Sequence, residues 1–367
     1  MSSLAKRLIQ ATGKESRASI LTDSKFFDKE VVCTTSIPMA NLLMSGFVKG
    51  GITPGITMVV GDSRTFKTNM CLFLAGQYMR KYPEAVMVFV DSEFGAASSY
   101  FKTFGIDTDR VVHIPVENIE QMTFEIVQIL EAVTKGENVF FFIDSISQVS
   151  SKKEAQDALD GKGTTDMTRA RTLNSFWRIV TPKLNLRGIP MFAINSFYDD
   201  MTNKYAERHI KGGKQGFLSS DAVWFVTRSK EKDEDGLNGF TFNYTPMKSR
   251  FVKEGTKFPI KVTFEGGIDQ YSGIWDLARE FELVRMPSNA WYTVSETLGF
   301  TDINPNEKFR KADLETPEFL SRIVLSKPFQ ELAEKKYRLG EGEMNSGIVK
   351  SEFSAPDSDG VIIKLEE

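Results

Sequence analysis

The stretch from Ile56 to Asn69 constrains this chain more than any other. Ile56-Thr57-Met58-Val59-Val60 reads as a short buried strand, and it stops at Gly61. From there Gly61, Asp62, Ser63, Arg64, Thr65, Phe66, Lys67 and Thr68 fit the phosphate-loop pattern G-x-x-x-x-G-K-[ST] at every fixed position but one. Phe66 stands where the last glycine is expected. Asn69 follows, and residues 68–80 set Cys71, Leu72, Leu74, Ala75 and Met79 on the apolar face of a helix. In a strand–loop–helix of this kind, backbone N–H groups converge on an anion and the helix N-terminus adds partial positive charge. Lys67 then reaches the outer phosphates and Thr68 offers its hydroxyl to Mg²⁺. The alternative, an ordinary helix capped by a glycine-started turn, rests on the missing glycine alone.

More apolar runs follow: Val86–Val90, ending in Asp91-Ser92-Glu93-Phe94-Gly95; Val111–Ile114; Val139–Ile143, ending in Asp144-Ser145; and Ile189–Ile194, ending in Asn195-Ser196. Uniformly apolar runs alternating with helical segments predict a parallel sheet covered on both faces. Chemistry in such sheets gathers at the carboxyl ends of the strands. Glu93 is there a candidate base for a water attacking a γ-phosphate, against the reading of a surface acid in a turn. Asp144, closing an apolar run downstream of a phosphate loop, is the candidate carboxylate for Mg²⁺. His113 reads as a strand residue, since neither a second His nor a Cys lies at metal-binding spacing.

Composition narrows the class further. The chain has 367 residues, 41% hydrophobic and 26% charged, so it has the mass for a sizeable core. No apolar run approaches bilayer-spanning length, and the start lacks a signal-peptide core, so no membrane partner is expected. Two cysteines, Cys33 and Cys71, form neither a disulfide framework nor a zinc site, which fits a reducing cytoplasm. A net charge of −3 means that any nucleic-acid contact must come from local patches.

Away from the sheet, residues 1–12 predict a short helix with Leu4, Leu8 and Ala11 on one stripe, either packed on its own domain or acting as an arm on a neighbour. Residues 150–168 read as a mobile loop. A helix with Ala170, Leu173, Phe176, Trp177 and Val180 inward follows, ended by Pro182. Phe197 to Ser220 is too long and polar for a plain connection. Its Lys204, Arg208, Lys211 and Lys214, with Gly212-Gly213, suit either a grip on a single-stranded backbone or a solvated charged loop. Ala222–Arg228, Phe240–Tyr244 and Phe258–Phe264 predict an antiparallel meander extending the sheet, with Lys248 and Arg250 between its last two strands. The expected division is an N-terminal helix and linker (1–30), an α/β core (31–272), a small α-rich domain (273–340) and a flexible acidic tail (341–367).

Taken together, Gly61 to Asn69 with Phe before Lys-Thr, Asp91-Ser92-Glu93-Phe94-Gly95, Ile143-Asp144-Ser145, Ala193-Ile194-Asn195 and Lys248-Ser249-Arg250 resemble the UvsX-type strand-exchange recombinases of T-even-like phages, relatives of RecA. Asp166-Met167-Thr168-Arg169-Ala170 and Trp291-Tyr292 also look like that family, and Phe66 is shared with it. The resemblance runs from Ser3 to about Leu339. It implies a RecA-like P-loop ATPase core that forms filaments on single-stranded DNA and pairs it with homologous duplex DNA, hydrolysing ATP to ADP or AMP with Mg²⁺. Lys67, Thr68, Asp144 and Ser145 would belong to the nucleotide and metal site, with Glu93 activating water and Tyr100 stacking on adenine. Lys248 and Arg250 would reach a neighbouring subunit's nucleotide. Lys152, Lys153, Arg169 and Arg171 in the first loop, with the cations and glycines of the second, would touch DNA. A mediator, a single-strand-binding protein and a helicase are implied partners. At Ser196 the family more often carries Gln or His, the group that senses γ-phosphate. The competing readings are a RecA-like hexameric motor of helicase type and an ATP-switched filament-forming binding protein.

Overall fold

The computed structural model describes residues 3–13, 16–24, 31–134, 136–162, 168–199, 208–233 and 236–340, with backbone alone for residues 198, 199, 208 and 209. The first half runs α1 (Ser3–Ala11), α2 (Pro38–Ser45), β1 (Gly55–Gly61), α3 (Lys67–Lys81), β2 (Val86–Asp91), α4 (Ser98–Thr103), β3 (Val111–Pro115), α5 (Ile119–Ala132) and β4 (Val139–Asp144). Next come α6 (Lys152–Leu159), α7 (Thr168–Arg187), β5 (Pro190–Asn195), β6 (Phe197–Asp199), β7 (Arg208–Ile210) and α8 (Lys214–Ser219). β8 (Ala222–Asp233), β9 (Gly236–Ser249), β10 (Phe258–Thr263) and β11 (Gly267–Ile268) form the meander. The chain then gives α9 (Ile274–Glu280), β12 (Val284–Ser288), β13 (Trp291–Val294), α10 (Lys311–Leu314), α11 (Pro317–Leu325) and α12 (Lys327–Tyr337).

Among the described residues, one nine-stranded sheet has the order β11-β10-β9-β8-β1-β5-β4-β2-β3. From β8 to β3 neighbouring strands are parallel, and β9, β10 and β11 continue antiparallel. This is the expected α/β core with its antiparallel extension. Every residue of β1, β4 and β5 is buried, which is why they read as unbroken apolar runs rather than alternating ones. One buried cluster lies against α2 and α3, and a second holds the apolar faces of α5 and α7. Register sets the strand ends level: Asp91 pairs with Asp144, and Val60 with Asn195. Four candidate segments therefore surface along one edge.

Several expectations are corrected. Residues 150–168 are not all loop, because Ser151 and Glu154 form a capping box that starts α6. Residues 163–167 lie outside the described residues. Pro182 does not end α7, which continues to Arg187. Leu184, beyond the proline, is buried with Leu173, Phe176, Trp177 and Val180, and continuing that stripe outweighs the hydrogen bond proline cannot donate. Phe197 to Ser220 holds the β6–β7 hairpin and α8 within its described part. The sequence reading also passed over α2, all of whose residues are buried, and β12.

No residue of α1 is buried, and Leu4 and Leu8 are exposed. At the other end, Trp275, Ile323, Phe329 and Tyr337 share one buried cluster with Phe258 and Ile260 of β10. The segment after residue 273 thus packs its apolar side chains against the end of the sheet. The expected tail, 341–367, lies outside the described residues.

Candidate active site

The loop leaves β1 at Gly61, where a Cβ would stand 2.7 Å from the Val226 carbonyl oxygen of β8, so glycine is needed for the close approach. Arg64 and Phe66 take left-handed backbone, with φ of 61° and 63°. For a residue with a side chain this conformation costs about 1–2 kcal/mol. Phe66 stacks its ring on Phe242 at 4.9 Å and 20°, and aromatic pairing with partial burial offsets that cost. A phenylalanine thus holds a position where the general pattern has glycine.

Lys67 opens α3 with its ammonium turned back into the loop. Its Nζ donates to the carbonyl oxygens of Gly61 (3.0 Å) and Asp62 (2.6 Å) and to Thr65 Oγ1 (3.2 Å). Burial lowers its pKa, and the carboxylates of Asp144, Glu93 and Asp62 pull it back up. Thr68 Oγ1 donates to Asp144 Oδ2 at 2.7 Å. Burial pushes the Asp144 carboxyl up to about 6; the Thr68 bond opposes the rise, and the Glu93 and Asp91 charges add to it. A buried carboxylate beside a hydroxyl is an oxygen donor pair that suits a hard divalent cation.

Glu93 reaches the same place from the end of β2. Its Oε1 accepts the Ser145 hydroxyl proton at 2.6 Å, and Ser145 Oγ lies 2.7 Å from Ser147 Oγ. One cavity of about 640 Å³ is lined by Gly61, Ser63, Arg64, Thr65, Phe66, Lys67, Thr68, Asn69, Glu93, Tyr100 and Asp144. Asp62 and Ser145 border it through the bonds to Lys67 and Glu93. The sequence reading missed Ser147, Gln148, Arg228, Phe240 and Phe242 in this lining. Arg228 Nη1 donates to the Arg64 carbonyl at 3.2 Å, and its guanidinium lies 5.0 Å from the centre of the Phe240 ring. Nothing in strand alternation marks Arg228, Phe240 and Phe242; the pairing of β8 beside β1, and of β9 beside β8, brings them in.

The chain is 40% identical to the recombination and repair protein of Enterobacteria phage T4 over 356 residues, which is 96% of this chain and 90% of that protein. It belongs to the UvsX family of phage recombination and repair proteins. The family model for the bacteriophage T4 recombination and repair protein, C-terminal domain, matches residues 271–333. RecA of Corynebacterium glutamicum (strain R) is 25% identical over 94% of this chain and 86% of its own length. RecA of Deinococcus radiodurans is 23% identical over 79% and 78% respectively.

Other candidates of this UvsX-family chain stand apart from the cavity. Lys248 Nζ donates to the carbonyl oxygens of Phe217 (2.9 Å) and Leu218 (2.7 Å), and Arg250 Nε lies 3.0 Å from Asp221 Oδ1. Burial lowers the Lys248 pKa, and Arg250 beside it lowers it further. Neither lines its own chain's cavity. Arg169, expected to face DNA, is turned inward: it donates to the carbonyl oxygens of Val149 (2.8 Å), Ile146 (2.9 Å) and Ser147 (3.3 Å). Those carbonyls follow the buried end of β4 and have no helix or strand to satisfy them, so the guanidinium does. Lys152, Lys153 and Arg171 are exposed, Lys153 lying 3.8 Å from Asp157.

In the second basic segment Lys214 is exposed and Lys211 half-buried. Gly212 and Gly213 have φ of 92° and 87°, and a Cβ on Gly212 would meet Leu173 Cδ1 at 2.7 Å. Asn195 Nδ2 donates to the Lys211 carbonyl at 2.9 Å, joining this segment to the cavity wall. Lys204 lies outside the described residues, and only the backbone of Arg208 is described.

Proposed function

We propose that this UvsX-family recombinase and DNA-dependent ATPase forms a filament on single-stranded DNA, pairs it with homologous duplex, and hydrolyses ATP between subunits. The observation that carries the reading is the convergence of Lys67, the Thr68–Asp144 pair and Glu93 on one cavity at the carboxyl edge of a parallel sheet. Backbone N–H groups of the loop and the Lys67 ammonium would hold the β- and γ-phosphates. Thr68 and Asp144 would hold Mg²⁺, which supplies positive charge to those phosphate oxygens. Glu93 accepts a proton from the attacking water, and the Ser145 hydroxyl fixes the carboxylate that receives it. Tyr100 is offered to the base.

Lys248 and Arg250, absent from their own cavity's lining, are the cations we assign to a neighbour's triphosphate. A cation supplied across an interface is worth ~10³–10⁵ in rate. The exposed Leu4 and Leu8 of α1 suit an arm that covers its stripe on the next copy. Lys152, Lys153, Arg171, Arg208, Lys211, Gly212, Gly213 and Lys214 are the proposed DNA contacts, with Lys204 between them in sequence. Mediator, single-strand-binding and helicase partners are part of the same proposal. The buried free thiols of Cys33 and Cys71 suit a reducing cytoplasm, and no helix among the described residues is long and apolar enough to cross a membrane.

The test is homologous strand exchange by the purified full chain with ATP and Mg²⁺, followed beside DNA-stimulated hydrolysis. Wild type should show both activities. Lys67→Ala should lose ATP binding and D-loop formation together, and a D-loop yield equal to wild type in that variant would contradict the assignment.

A further inference from the structure

Asp91 closes β2 with only 4% of its surface exposed, and it does not line the nucleotide cavity. Its Oδ1 accepts two backbone N–H groups, from Glu93 at 3.1 Å and from Phe94 at 2.8 Å. These bonds shape the turn that takes the chain off the strand and aims Glu93 at the cavity. Phe94 sits in that turn with φ of 54°, a conformation that persists only where the surroundings fix it. The second oxygen of Asp91, Oδ2, lies 3.3 Å from His113 Nε2. His113 belongs to β3, the neighbouring edge strand, where its ring stacks on Phe89 of β2 at 5.5 Å and 16°. The imidazole does not line the nucleotide cavity. It borders a separate cleft of about 310 Å³, with Ala96, Ser98 and Phe101 among its walls.

We propose that Asp91 and His113 are positioning residues for Glu93: the imidazole fixes the rotation of the Asp91 carboxylate, and the carboxylate fixes the turn that carries the base. The reasoning is geometric. A carboxylate bound through one oxygen can rotate about its Cβ–Cγ bond, and the turn rotates with it. Held at both oxygens, with the holding ring itself stacked, it has one orientation. This inference rests on the assignment of Glu93 as the base. It adds a residue on the next strand, remote from substrate, that governs the rate of the chemical step and not the binding of nucleotide.

The experiment is DNA-stimulated ATP hydrolysis by full-length His113→Phe, His113→Gln, Glu93→Gln and the Glu93→Gln/His113→Phe double variant. Phenylalanine keeps the stack on Phe89 and removes Nε2; glutamine returns a nitrogen near that position. His113→Phe should lower kcat about tenfold, the order expected when a catalytic group is misplaced by a fraction of an ångström, and leave KM for ATP within about twofold. His113→Gln should recover most of that loss. The double variant should be no slower than Glu93→Gln alone, since both changes act on one group. Backbone amide exchange at Glu93 and Phe94 should quicken in His113→Phe while the β2 amides stay protected. Wild-type kcat in His113→Phe, a change confined to KM, no recovery in His113→Gln, or multiplicative losses in the double variant would each overturn the proposal. Unchanged turnover in Glu93→Gln would instead remove the base assignment on which it stands, whatever the His113 variants do.

Discussion

Phe66 offers a prediction in which two familiar residues change order. Both Phe66→Ala and Phe66→Gly delete the ring stacked at 4.9 Å on Phe242, and the ring is half-buried, so each loses about 2 kcal/mol of packing. They differ in the backbone. At φ of 63° alanine keeps the penalty of about 1–2 kcal/mol that any L side chain meets there, and glycine does not. Glycine gives back about 0.4–1 kcal/mol through the greater freedom of its unfolded chain. The balance favours Phe66→Gly over Phe66→Ala by roughly 0.5–1 kcal/mol, the reverse of the order at an ordinary helix position, where alanine is the better residue. Urea unfolding of the two variants beside wild type measures the difference directly. Phe66→Ala equal to or more stable than Phe66→Gly would refute the reasoning that ring packing holds a strained loop. Should Phe66→Gly exceed wild type, the stack contributes less than the strain.

Further expectations concern turnover, DNA and assembly. Glu93→Gln should keep ATP and DNA binding but slow hydrolysis ~10²-fold or more, and an unaltered steady-state rate would remove Glu93 from its role. Replacing Lys211 and Lys214 by Ala should weaken single-strand binding and reduce the log–log salt slope by ~0.7 per lost phosphate contact, whereas an identical slope puts those lysines off the DNA path. Mixtures of Arg250→Ala and Lys67→Ala subunits should regain hydrolysis at junctions that combine an intact loop with an intact cation. Activity no higher than the sum of the separate variants would count against a shared site.

The sheet was legible because its strands are buried on both faces. Val86–Val90, Val139–Ile143 and Ile189–Ile194 stand out as apolar runs, and their polar ends, Glu93, Asp144 and Asn195, mark the edge where the cavity opens. Pro182 misled because a local rule for helix ends met a longer-range gain, the burial of Leu184. The α6 helix was hidden by its polar composition, since its capping box is a two-residue signal inside a run that otherwise looks solvated. The bonds of Arg169 to the Val149 and Ile146 carbonyls were hidden for a related reason: its acceptors lie about twenty residues earlier and meet it only in the fold.

By itself, then, the sequence determined the strand–loop–helix around Lys67 and the apolar runs of a parallel core, and it marked Lys67, Thr68, Glu93 and Asp144 as candidates, all properties of contiguous segments. Only the tertiary structure decided that Arg228 and Phe242 wall the cavity, that Phe66 rests on Phe242, and that His113 Nε2 lies 3.3 Å from Asp91. Those contacts depend on which strands lie side by side and in what register, and pairing between segments far apart along the chain leaves no periodic trace in either one.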